Sequence, residues 1–101
     1  MPLKEHTRKE LRMEAKLTPP ECGKNWSVHF LGLTEQVRNK ILSAFHRMAY
    51  NHESMFKKAN PFLQGDSDGW MMIEFWTDNQ NSIIDACLEL ENTLNICIEH
   101  A

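Results

Sequence analysis

Few residues in this chain have the types and spacing that chemistry needs, and each competes with a plainer structural role. Cys22 precedes Gly23 and lies seven residues before His29 across a turn. A thiol beside an imidazole, whether His29 or His52, is the arrangement that generates a thiolate nucleophile. Nothing in the spacing fixes either pairing. Cys22 and His29 would also be half of a zinc site, but a tetrahedral centre needs two further ligands that the local sequence does not supply. Asp66-Ser67-Asp68-Gly69 opens like a calcium loop, with Glu74 as a further acidic candidate nearby. The pattern then fails, because Trp70 occupies the fifth position and the glycine comes too early; a turn whose aspartates bond their own backbone explains it better. His52 is the one polar residue well inside the apolar stripe of a long predicted helix. Imidazole is the usual proton-transfer group near neutral pH, yet no nucleophile or acid is identifiable beside His52, and a histidine hydrogen-bonded in the core or at the helix overhang is the simpler account. With Phe56, His52 marks a candidate pocket between that helix and the sheet. No catalytic residue, metal or cofactor is assigned.

The more informative residues are apolar. Trp70, Met72 and Trp76 alternate along one predicted strand, and parity places them on the face turned away from the helices, together with His29 and Leu31 of a neighbouring strand. A solvent-facing sheet surface should read polar. Large contiguous apolar patches mark association sites, where Trp and Met are enriched. The same rings could stack bases, with Arg8, Lys9, Arg12 and Lys16 as phosphate contacts. Against that stand Glu74 between the two tryptophans, the lack of an aromatic RNA-binding motif, and a formal net charge of −3. Nucleic acid is therefore not an expected partner.

The elements that position these residues are read from periodicity. With 101 residues, 42% of them apolar and 25% charged, the chain reads as one α/β domain over 1–101 with a frayed segment at 1–7. Leu11, Met13, Ala15 and Leu17 alternate with charged residues, which predicts a strand near 9–17; good helix formers in the same stretch make a helix the competing reading. Thr18 to Lys24 has a turn's composition, and Trp26 to Leu31 predicts a second strand at 25–32, paired with the first as a hairpin. Thr34 is a plausible N-cap for a helix over 34–59 that Asn60-Pro61 ends. At roughly 37 Å that helix would outrun an eight-residue strand of roughly 26 Å, so it either breaks near Asn51 or overhangs the sheet. Residues 60–69 read as a loop, with Phe62 and Leu63 as plugs against the body. Residues 69–77 form the strongest strand by aromatic and β-branched content. Thr77-Asp78-Asn79-Gln80 fits a capping box for a last helix over 78–98, on whose apolar side Cys87 and Cys97 lie as small hydrophobes.

The order β-β-α-β-α predicts a two-layer sandwich, a three-stranded sheet with two helices packed on one face. Its inward set is Leu11, Met13, Ala15, Leu17, Val28, Phe30, Met71, Ile73 and Phe75. The outward set is Arg12, Glu14, Lys16, Ser27, His29, Leu31, Trp70, Met72, Glu74 and Trp76. Three cysteines at long spacings argue for reduced thiols in a cytoplasmic protein. No apolar run is long enough for a membrane span, and no signal-peptide pattern opens the chain. The reading that follows is a non-enzymatic interaction module that forms a homodimer through its apolar sheet face or the edge of its third strand, leaving other surface for a further protein partner. The alternatives are a small enzyme or ligand-binding protein using the His52 and Phe56 pocket and, on size alone, an inhibitor of the phage or mobile-element kind that acts by protein binding.

Overall fold

The computed structural model describes residues 13–20, 25–65 and 69–100. The strands are β1 (Glu14–Thr18), β2 (Trp26–Leu31), β3 (Pro61–Gly65), β4 (Trp70–Phe75) and β5 (Glu99–His100), and the helices are α1 (Glu35–Asn51), α2 (Glu53–Ala59) and α3 (Gln80–Leu94). The expected sandwich of three strands and two helices is thus overturned: the described residues form three helices and a five-stranded mixed sheet of order β3-β4-β2-β1-β5. β5 runs parallel to β1, and every other pairing is antiparallel. Along the chain the elements form two ββα units, β1-β2-α1 and β3-β4-α3. Their second strands meet at the centre of the sheet and their first strands flank them.

Two strands escaped the sequence reading for physical reasons. β3 falls where a loop was expected, because it begins at Pro61, ends at Gly65 and has only two apolar residues between them. Its pairing to β4 makes it a strand, with Phe62 opposite Glu74 and Leu63 opposite Ile73. β5 lies beyond the end of α3, where the expected helix ran on to 98. That helix stops at Leu94 because Asn95 adopts a left-handed conformation, φ 55°, and donates its backbone N–H to the Glu91 carbonyl. The Glu91 carboxylate then accepts the Ile98 N–H at 2.7 Å, which ties the approach to β5 back onto the helix.

The long helix breaks, the first of the two outcomes its length allowed. His52 (φ −127°, ψ 51°) closes α1 by donating its N–H to the Met48 carbonyl and opens α2 by accepting from the Phe56 N–H. The expected Thr34 cap is present, its hydroxyl accepting from the Val37 N–H at 3.2 Å. The expected Thr77 capping box is not. Asn79 caps α3 through its side chain, and Thr77 instead accepts from the Asn79 N–H.

The inward strand set is correct wherever it is described. Ala15, Leu17, Val28, Phe30, Met71, Ile73 and Phe75 are buried against Val37, Ile41, Ala44 and Met48 of α1 and Ile83, Ala86, Cys87 and Leu90 of α3. Met13 packs at the margin of this core. Leu11 and the first residues of the expected strand 9–17 lie outside the described residues. Glycine is required at Gly69, where φ is +77° and an added Cβ would sit 3.1 Å from the Leu33 carbonyl oxygen. The Leu33 N–H donates to Gly69 O across this turn, fixing the entry to β4.

Candidate functional site

With the core on one side of the sheet, its other face is built from alternate residues: Phe62 and Gln64 of β3, Trp70, Met72 and Glu74 of β4, Ser27, His29 and Leu31 of β2, and Glu14, Lys16 and Thr18 of β1. Among the described residues no helix covers it. Its exposed apolar members are Leu31, Phe62 and Trp76, with 46%, 53% and 58% of their surface in water. Trp70 and Met72 are half-buried between them. The Phe62 and Trp76 rings lie 6.2 Å apart, and those of Trp70 and His29 lie 6.4 Å apart, distances at which aromatic pairs attract. The Trp76 N–H donates to the Asn60 carbonyl, which holds this residue beside β3 just past the end of β4. All five residues expected on this surface, His29, Leu31, Trp70, Met72 and Trp76, therefore border one face. Phe62 joins them unforeseen. Alternation with Leu63 and Gln64 was the available signal, too short in a stretch punctuated by proline and glycine.

The face has a polar centre. The Glu74 carboxylate accepts from Asn25 Nδ2 at 3.0 Å through one oxygen and from Gln64 Nε2 at 3.3 Å through the other. Ser27, opposite Glu74 in register, shares a 3.0 Å hydrogen bond with the His29 ring. Two amides from flanking segments thus hold the carboxylate between Met72 of the same strand and Trp76 just past its end.

The remaining candidates are not gathered into one site. His52 sits at the break between α1 and α2, half-buried and outside the core, with its ring 3.4 Å from the Glu89 carboxylate of α3. Phe56 packs edge-on against Phe45, ring centroids 5.1 Å apart. The cavity beside His52, about 410 Å³, lies between the helix break and the start of α3. Asn51, Glu53, Met55, Lys58, Ser82 and Asp85 are among the residues lining it. It is a groove between helices, and Phe56 is not among the residues that line it. Ser82 and Asp85 were missed because they are distant in sequence and unremarkable in type. Burial pushes the Cys87 thiol up to about 12, and the nearby Glu91 carboxylate adds to the shift, so it is not a thiolate near neutral pH. Cys97 is exposed. Cys22, Asp66 and Asp68 lie outside the described residues, and so do Arg8, Lys9 and Arg12. Among the described residues no three His, Cys, Asp or Glu side chains are grouped to hold a metal ion, and no helix is long and apolar enough to cross a membrane.

No protein-family model, curated protein or solved structure matches this chain. The functional reading rests on the chemistry of the face itself.

Proposed function

We propose that this protein is an interaction module that associates with a second copy of itself through the face of the sheet that no described helix covers. One observation carries the reading: Leu31, Phe62 and Trp76 are exposed on the same face as half-buried Trp70 and Met72. Taking ~150–250 Å² for a fully buried aromatic, the exposed portions of Phe62 and Trp76 alone leave on the order of 250 Å² of ring in water. With Leu31 and the half-buried members, the apolar patch approaches ~500 Å² per chain, at the upper end for a monomer's largest patch. Two such patches facing each other bury ~1,000 Å², which is the lower bound for a specific interface and suits a weak, reversible dimer. Two-fold symmetry lets one patch serve both copies.

The face suits this better than the edge. β4, the strand first considered as an edge, lies inside the sheet between β3 and β2. The edges are β5, two residues long, and β3, which opens on Pro61 and so lacks one N–H for ladder pairing.

The test is Trp76→Glu. A carboxylate introduced into an apolar contact must be desolvated in both subunits, so the variant should be monomeric and folded where the wild type is dimeric. Light scattering from ~10 μM to ~1 mM, the range of weak association, reads the mass, and circular dichroism reads the fold. A wild type that stays monomeric throughout defeats the proposal. If deleting residues 1–12 then produced dimers, those residues would be the occupant of the face.

A further inference from the structure

A charge sits at the centre of the proposed contact, and its setting decides how strong that contact becomes. Glu74 is half-buried, flanked by Met72 and Trp76, and both of its oxygens are already engaged by the Asn25 and Gln64 amides. Those bonds hold the carboxylate on the face and leave it no freedom to swing toward solvent when a second sheet arrives. β3 presents no ionisable side chain to it, and β4 has none besides Glu74 itself. β2 offers only His29, whose ring is engaged with Ser27. Lys16 and Glu14 stand one strand further away on β1, with Glu99 beyond them on β5.

Resting on the self-association reading, we infer that Glu74 limits this contact, so that its carboxylate keeps the pairing of two copies weak. In a symmetric pair each copy brings its own Glu74 into the covered region. Among the described residues no cation of the apolar half meets the two carboxylates as they lose water, which opposes association. Neutralising the group without changing its shape removes that opposition. Gln in its place still accepts one amide and, after rotation of the other, donates to it, so the strand keeps its hydrogen bonds.

Glu74→Gln is expected to tighten self-association at pH 7.5 by tenfold or more, read as the dimer dissociation constant by sedimentation equilibrium. Glu53→Gln, a charge change on exposed α2 outside this face, should leave the constant within about twofold. Phe62→Ala should weaken it. A dimer that Glu74→Gln leaves unchanged or weakens overturns the role of Glu74 and spares the dimer. Monomers for the wild type, Glu74→Gln and Glu53→Gln up to ~1 mM overturn both. If Glu74→Gln does not fold, Glu74→Met removes the same charge and is measured in its place. Tightening supports the inference, and a constant or rising dissociation constant refutes it.

Discussion

Replacing Phe75 by alanine tests the placement of the sheet's two faces most directly. Phe75 is 1% exposed, on the inner face of β4, opposite Trp26 of β2 and Pro61 of β3. The deleted ring removes on the order of 150 Å² of buried apolar surface, about 4 kcal/mol at ~25 cal/mol/Å². A compact denatured state already buries part of that area and lowers the figure, while the cavity left behind raises it. The expected loss is about 3–5 kcal/mol, a large share of the stability of ~5–15 kcal/mol usual for a domain. Urea unfolding at low protein concentration, followed by far-ultraviolet circular dichroism and tryptophan fluorescence, should show the midpoint falling with an unchanged slope. Phe62→Ala supplies the comparison, since Phe62 is the same residue type on the adjacent strand but faces the other way. With half its surface already in water, it should cost no more than about 1.5 kcal/mol. A loss below about 1 kcal/mol for Phe75→Ala, or a larger loss for Phe62→Ala, would mean that the two faces are exchanged.

Removing the Thr34 hydroxyl as Thr34→Ala leaves the Val37 N–H without its partner and should destabilise the fold by about 1 kcal/mol in the same unfolding assay, whereas Thr34→Ser should be near neutral. The Cys87 thiol, raised from 9.0 to about 12 by burial, should resist alkylation at pH 8 in the native state while exposed Cys97 reacts, as peptide mapping by mass spectrometry would show. Because the unfolded thiol ionises near 9 and the folded one near 12, its contribution is complete below about pH 9 and is lost as the pH rises toward 12. Stability measured between pH 8 and 11 should therefore fall less steeply in Cys87→Ala than in the wild type.

How much the sequence disclosed depended on the length of each pattern. β2 and β4 announce themselves through six-residue runs of aromatic and apolar residues, and their alternation placed Val28, Phe30, Met71, Ile73 and Phe75 inside correctly. The same parity carried His29, Leu31, Trp70 and Met72 to the opposite face, so most of the candidate site was legible. β3 was hidden because a pattern confined to Phe62, Leu63 and Gln64 is too short to separate a strand from a loop, and a partner 6 to 14 residues away, not local propensity, makes it one. The break at His52 has neither proline nor glycine to mark it. Its trace was two polar residues, Asn51 and His52, where the apolar stripe should have continued after Met48. What no local pattern contains is the neighbour relation of β5 and β1, separated by most of the chain.

Asn60 has a consequence for how this molecule opens. Its N–H closes α2 on the Phe56 carbonyl, its own carbonyl accepts from Trp76, and its side-chain amide donates to the Trp76 carbonyl at 3.0 Å. One left-handed residue, φ 45°, is thus both the last rung of a helix and the first rung of a strand ladder. Fraying of the sheet margin and unwinding of α2 are then a single event instead of two independent ones. In amide exchange the Asn60 and Trp76 protons should be released together, as one cooperative unit. Phe62 and Trp76 would lose their fixed positions in that same event, so the rigidity of this apolar face is set by a helix terminus at the sheet's edge.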